Sequence, residues 1–235
     1  MKLLLLSNST NPGQSFLEHA NEEIVDFLGK NPGRILFIPY AIVTLSYDFY
    51  YKKVKDKFGS LGYEIDSIHL SENPIQAVSK CDCIIVGGGN TFHLLFQLQK
   101  NKLIELIANR VKDCVPYIGW SAGINLVCPT IRTTNDMPIV ETENLKGLSL
   151  VPFQINPHYT DKQIEGHGGE SREMRIEEFL KVNPDKFVLG LREGSAILID
   201  SYNLKLCGKN TARLFKYGKS TIEISKAEDL NYLLS

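Results

Sequence analysis

Short, unbroken apolar runs recur along the first half of the chain, each followed by a stretch whose apolar residues have helical spacing. A run such as Ile84-Ile85-Val86 has no polar face, so it needs cover on both sides. A parallel sheet between two layers of helices supplies that cover. The pattern predicts strands at residues 3–6, 34–39, 64–69, 83–86 and 115–119, and helices at 15–28, 47–61 and within 91–111. After Cys128 the prolines Pro129, Pro138, Pro152 and Pro157 break the alternation into short strands and loops. One short strand there, in 154–158, ends at Pro157. A helix is predicted at 170–182 and strands at 187–191, 195–199 and 204–206, with Tyr202-Asn203 as a hairpin turn. Nothing repeats, and no linker or low-complexity stretch divides the chain. Residues 1–235 are therefore expected to form a single α/β domain with a mostly parallel central sheet flanked by helices and a strand-rich C-terminal part.

The 26 Lys and Arg nearly cancel the 27 Asp and Glu, leaving a net charge of −1 that gives nucleic acid no bulk attraction. Four consecutive leucines from Leu3 end at Ser7, too short a run for a secretory leader and better suited to a buried first strand. No stretch is long and apolar enough to span a bilayer. The five cysteines, Cys81, Cys83, Cys114, Cys128 and Cys207, form no Cys-x-x-Cys pair. A reducing cytoplasm is the expected location, without disulfides, metal or other cofactor.

The sharpest chemical signal is Gly119-Trp120-Ser121-Ala122-Gly123, a G-x-S-x-G directly after one predicted strand and before a helix. In that context the glycines let strand and helix crowd together while the serine projects from a strained turn. Ser121 is the candidate nucleophile and the Ala122 amide a candidate oxyanion donor. The bland alternative is a serine that merely caps the helix. A second glycine turn, Gly87-Gly88-Gly89-Asn90-Thr91, lacks the lysine of a phosphate loop, and Phe92 stands where a dinucleotide fingerprint needs glycine. It suits either close backbone packing or the approach of main-chain amides to a ligand.

A serine nucleophile needs a base, and there are five histidines. His19 and His69 suit surface roles, and His93 borders the glycine turn. His158, in Gln154-Ile155-Asn156-Pro157-His158, is ranked above His167 because a strand end can present its ring to a crevice. Two carboxylates compete for the far ring nitrogen. Asp136 lies in the polar stretch 132–138, and Glu193 lies just past an apolar strand, where it is otherwise expected to pair with Arg192.

These residues, together with Leu3 to Asn8, the string Cys-Pro-Thr-Ile-Arg-Thr-Thr-Asn-Asp-Met-Pro-Ile-Val and residues 166–175 and 190–194, resemble the peptidase E family of serine peptidases, α-aspartyl dipeptidases related to cyanophycinase. The resemblance spans nearly the whole chain. It implies a fold similar to class I glutamine amidotransferase domains, with Ser121 where those carry cysteine, and hydrolysis of dipeptides with N-terminal aspartate. It further implies Ser121 as nucleophile, His158 as base, Asp136 or Glu193 as the acid, Gly88 and Ala122 as oxyanion amides, and Arg172 facing the substrate aspartate. Arg172 is otherwise expected to pair with Glu173. One departure is Arg192, where the family has proline. The expected partner is a small Asp-X peptide, with neither nucleic acid nor membrane, acted on by a monomer or homodimer. The rival readings are an esterase of α/β-hydrolase type, although no histidine follows His167 to serve its late base, and a non-catalytic small-molecule-binding protein.

Overall fold

The computed structural model describes residues 1–162 and 168–234; His167, the second candidate base, lies outside the described residues. The apolar runs fold as their lack of a polar face demands. Strands β1 (Lys2–Leu6), β2 (Ile35–Ile38), β3 (Ile65–Ser67), β4 (Cys83–Val86) and β5 (Tyr117–Trp120) pair in parallel in the order β3-β2-β4-β5-β1. Two strands extend the sheet beyond β1 in antiparallel fashion, β8 (Ser195–Asp200) and then β9 (Asn203–Gly208).

Alternate residues of each strand serve opposite faces. Leu4 and Leu6 join Ile24 and Phe27 of α1 (Asn21–Leu28) and Val54 and Phe58 of α2 (Tyr47–Ser60) in one apolar layer. Leu3 and Leu5 join the other layer, with Val78 of α3 (Pro74–Lys80), Leu94 and Leu98 of α4 (Thr91–Lys100), Ile107 of α5 (Ile104–Lys112) and Ile124 of α6 (Ala122–Val127).

That second layer also holds Ile155, Leu189, Leu191, Leu214 and Ile224, all from a smaller sheet. Its strands are β6 (Gln154–Tyr159), β7 (Phe187–Arg192), β10 (Ala212–Lys216) and β11 (Ile222–Ile224), in the order β11-β10-β7-β6. Helix α7 (Arg172–Val182) covers part of it, packing Ile176 and Leu180 against Tyr159, Val188 and Phe215. Because β6 and β7 run parallel, their carboxyl ends lie together, with Tyr159 opposite Arg192. The short turn at Glu193-Gly194 then carries the chain from β7 into β8, whose start lies beside the end of β1, with Ala196 opposite Leu6. The carboxyl ends of β1, β4, β5, β6 and β7 thus converge on one rim.

Several expectations need correction. The stretch predicted as helix at 15–28 holds a 3-10 turn, Glu18–Ala20, before α1, and the Glu18 carboxylate accepts from both the amide and hydroxyl of Ser15. Only Ile65–Ser67 of the run at 64–69 is strand, and α3 after it was not predicted. Asn73 caps α3 and Pro74 opens it, a start signal that the short apolar content obscured. The strand at 154–158 does not stop at Pro157 but continues to Tyr159 through an irregularity in register. The β8–β9 hairpin turns at Ser201-Tyr202, one residue earlier than expected, with Asp200 opposite Asn203. Strands β10 and β11 were also missed. Between Cys128 and Gln154 the described backbone is loop with one isolated bridge, Thr130 to Lys146. Among the described residues no helix is long and apolar enough to cross a membrane.

Close approach of α6 to β4 depends on one glycine. A Cβ on Gly123 would lie 2.5 Å from the Val86 carbonyl oxygen, which is backbone and has no flexible side chain to yield. Gly123→Ala is expected to lower stability by roughly 1–3 kcal/mol, the usual cost of overpacking. Denaturant unfolding checks it, with an unchanged midpoint counting against this packing.

Candidate active site

Ser121 joins β5 to α6 with φ 53° and ψ −110°, a conformation that L-residues rarely adopt. Its backbone is held from two sides. The Ser121 amide donates to the Leu6 carbonyl at 3.2 Å, continuing the ladder with β1, and its carbonyl accepts from Ile124 at 2.9 Å. The hydroxyl makes no capping bond to the helix, so the role of a simple cap is excluded. Instead Oγ lies 2.8 Å from His158 Nε2.

On its other side the imidazole meets a carboxylate, with Nδ1 2.7 Å from Glu193 Oε1. A carboxylate accepts only, so this contact places a proton on Nδ1 and leaves Nε2 to accept from the serine hydroxyl. The His158 and Glu193 side chains are 37% and 49% exposed, open enough for a substrate to reach the ring.

Among the described residues Asp136 makes no hydrogen bond or ion pair with His158. Its Oδ2 accepts from the Thr91 amide at 2.8 Å and the Thr91 hydroxyl at 2.6 Å, and lies 3.0 Å from Thr134 Oγ1. These bonds place the carboxylate at the start of α4, next to the glycine turn. Gly88 of that turn packs directly on the elbow, since a Cβ there would be 3.0 Å from the Ser121 Cβ. Beneath the turn the Tyr50 hydroxyl accepts from Trp120 Nε1 at 2.8 Å. Burial pushes this phenol well above its ordinary range, against opposing hydrogen bonds from Trp120 and the Gly88 amide.

The expected Arg192–Glu193 pair does not form. Successive residues at the end of β7 face opposite ways, and Arg192 turns to Asp161 at 2.9 Å and to Glu223 and Thr211. Hydrogen bonding to Arg192 in turn holds the Asp161 and Glu223 carboxyls below their ordinary values. Arg172 likewise does not pair with Glu173, whose carboxylate is held by Arg213 at 3.0 Å. Among the described residues the Arg172 guanidinium has no ion pair. Burial lowers its pKa, and the nearby Arg175 adds to the effect.

The other described histidines have different surroundings. His69 lies between Ser67 Oγ at 2.7 Å and Asp48 at 3.0 Å, and His93 Nδ1 is 2.7 Å from the Tyr40 carbonyl. His19 departs from its expected surface role. It is half-buried, its ring nitrogens lack partners among the described residues, and burial lowers its pKa. Among the described residues no group of three or more His, Cys, Asp or Glu is arranged to hold a metal ion.

Sequence reasoning missed Ser7 and Asn8, read only as the end of the first strand. The Ser7 hydroxyl is fully buried. It donates to the Leu191 carbonyl at 2.7 Å and accepts from the His158 amide at 2.9 Å. His158 itself has φ 52°, so this bond secures an unusual backbone as well as a position. Next to it, Asn8 Oδ1 accepts from the Gly194 amide at 2.8 Å, while Asn210 Nδ2 donates to the Glu193 carbonyl at 2.7 Å. Polar residues immediately after a fully apolar first strand were the available signal.

The sequence profile described as peptidase family S51 matches residues 3–207. Among curated proteins, peptidase E from Nostoc sp. is 49% identical over 233 residues, covering 99% of this chain and 96% of that protein. Peptidase E from Salmonella typhimurium is 47% identical over 224 residues, covering 95% and 97%. Among solved structures, that of a candidate peptidase E from Listeria monocytogenes EGD-e aligns with TM-score 0.66 at 24% identity, covering 89% of this chain and 98% of that one. A peptidase from an acI-B1 Actinobacterium aligns with TM-score 0.73 at 17% identity, covering 97% and 96%. At those identities the structural matches speak for the fold alone, and they agree with the mixed α/β architecture.

The Ser7 contact makes a direct prediction. Ser7→Ala removes the acceptor for the His158 amide, and displacement of a catalytic group by an ångström typically costs about 100-fold in rate. Labelling of Ser121 by a serine-directed phosphonate is expected to slow by roughly 10- to 100-fold while the circular dichroism spectrum is kept. Unchanged labelling would remove Ser7 from the account of how the site is positioned.

Proposed function

The chain belongs to peptidase family S51, and from that premise we propose that it is a serine dipeptidase acting on Asp-X dipeptides through an acyl-enzyme on Ser121. One observation carries the reading: a single imidazole lies 2.8 Å from the Ser121 hydroxyl and 2.7 Å from the Glu193 carboxylate. His158 takes the Ser121 proton as Oγ attacks the carbonyl of the substrate aspartate. It returns that proton to the departing amine, and then activates the water that releases aspartate. Glu193 holds the ring in the required tautomer and stabilises the imidazolium.

The Ala122 amide, on the residue after the nucleophile, donates to the developing oxyanion. Gly88, packed on the elbow beside Ser121, is the second donor. Arg172 receives the aspartate side chain. Its support is a half-buried guanidinium without an ion pair among the described residues, and a planar fork suited to a carboxylate. Asp136 receives the substrate ammonium. Its Oδ2 is held by Thr91 and Thr134, which leaves Oδ1 for a ligand beside the glycine turn.

The apolar layer shared by both sheets supports reading residues 1–235 as one peptidase domain. Five free cysteines support a reducing compartment such as the cytoplasm. The chain order Ser121, His158, Glu193 differs from the nucleophile, acid, histidine order of α/β-hydrolases, which argues against the esterase reading. An elbow strained at Ser121 and aligned with a base argues against a binding protein without chemistry.

Ser121→Ala is expected to abolish Asp-Leu hydrolysis with the fold retained, and residual turnover near wild type would refute the nucleophile. Glu193→Gln should lower kcat by about four orders of magnitude, as loss of an orienting carboxylate does in such triads. Asp136→Asn should instead mainly raise KM; the reverse pattern would exchange the two roles. Arg172→Ala should bring the kcat/KM ratio of Asp-Leu to Ala-Leu close to unity, and an unchanged ratio would exclude Arg172 from selecting aspartate.

A further inference from the structure

Beside the Ser121–His158 pair lies a cleft of about 260 Å³. Gly88, Gly89, Trp120, Ser121 and His158 line part of it. The rest of the lining is largely apolar, with Phe16 and Ile42 together with Leu45 and Phe49 at the start of α2. Leu45 and Phe49 are 48% and 58% exposed. Large apolar surface left open beside a nucleophile is surface that an apolar ligand can cover. One cation completes the lining, Lys53, one turn along α2 from Phe49.

Lys53 differs from Lys52 and Lys57 of the same helix, and like Lys55 it lies over an aromatic ring. Lys52 pairs with Asp56 at 2.7 Å, and Lys57 donates to Asn21 Oδ1 at 2.5 Å. Lys53 has no carboxylate partner among the described residues. Its ammonium lies 4.4 Å from the centre of the Phe16 ring, which holds the charge at the cleft while leaving its donors for an anion.

Neither Asp136 nor Arg172, the groups assigned to the aspartate half of the substrate, lines this cleft. His158 does. The ring that protonates the departing amine must stand next to the residue that departs. The cleft is therefore on the leaving side.

We propose that this cleft binds the residue released from the substrate, with Phe16, Ile42, Leu45 and Phe49 receiving an apolar side chain and Lys53 pairing with the free α-carboxylate. The proposal rests on the dipeptidase reading and deepens it. Every dipeptide presents that carboxylate one residue beyond the scissile bond, whereas a longer or amidated peptide presents a neutral amide there. Lys53 thus selects for the length of the substrate, and the apolar wall for its second side chain.

The test compares Asp-Leu with Asp-leucinamide, and Asp-Leu with Asp-Gly, in the wild type and in Lys53→Met, Lys53→Arg and Phe49→Ser. An exposed ion pair of up to about 1 kcal/mol corresponds to a roughly fivefold preference of the wild type for the acid over the amide in kcat/KM. Lys53→Met should bring that preference close to unity through KM, Lys53→Arg should keep it, and Phe49→Ser should lower the ratio of Asp-Leu to Asp-Gly. Both altered residues are exposed, and a thermal melt confirms that each variant is folded. Cleavage of Asp-Leu with an acid-to-amide ratio that Lys53→Met does not change overturns the Lys53 assignment and leaves the dipeptidase reading intact. A wild type that cleaves neither Asp-Leu nor its amide overturns both.

Discussion

Ser121 and His158 are carried by different sheets, and the 2.8 Å contact between them depends on how the ends of those sheets are joined. Three groups of bonds make the join, and all involve the last residue of β1 or the two that follow it. The Ser121 amide bonds to Leu6, the Ser7 hydroxyl connects Leu191 with the His158 amide, and Asn8 takes the Gly194 amide next to Glu193. The first strand therefore serves as a common reference for Ser121, His158 and Glu193. Its apolar part anchors it in both core layers, since Leu3 and Leu5 face one and Leu4 and Leu6 the other. A strand fixed on both faces moves little, and the polar groups at its end inherit that rigidity.

Both residues of that contact sit on backbone that L-residues rarely adopt. Ser121 and His158 both have positive φ, near 53° and 52°. Such backbone persists only when its surroundings over-determine it. At Ser121 the constraint is steric, because glycines at 88, 119 and 123 let three backbones crowd the turn. At His158 it is a buried hydrogen bond, in which the Ser7 oxygen offers the amide the partner that a regular ladder would have supplied. The two devices differ, yet each aims a side chain across the gap between sheets.

How legible this was in the sequence depends on whether a feature is local. The strand Cys83–Val86 was read to the residue, because four apolar residues bounded by glycine admit little else. The elbow was equally legible, since G-x-S-x-G between a strand and a helix states its own geometry. His158 followed from its place near a strand end. The choice between Asp136 and Glu193 was not legible, because a polar stretch and a strand end are both plausible site positions and only the path of the backbone decides which carboxylate meets the ring. Arg192 was misjudged for the same reason, as adjacency in sequence suggested a pair that strand alternation forbids. Ser7 stayed hidden because its partners are 151 and 184 residues away. Strands β10 and β11 were missed because their burial alternates with charge, as at Arg213 and Glu223, so neither forms an unbroken apolar run.

The distribution of charge follows from the same architecture. With a net charge of −1 the molecule has no bulk attraction for a small anion, so recognition of one must be local. An Asp-X dipeptide carries two carboxylates and one ammonium. Among the described residues Arg172 and Lys53 are cations without ion pairs, whereas Arg192 and Arg213 are taken up by Asp161, Glu173 and Glu223. That network ties β7, β10, β11 and α7 together and leaves the two guanidinium groups already paired. On the proposed reading, the positions of anionic groups rather than total charge decide recognition, and a short peptide is distinguished by where its carboxylates lie relative to the bond attacked.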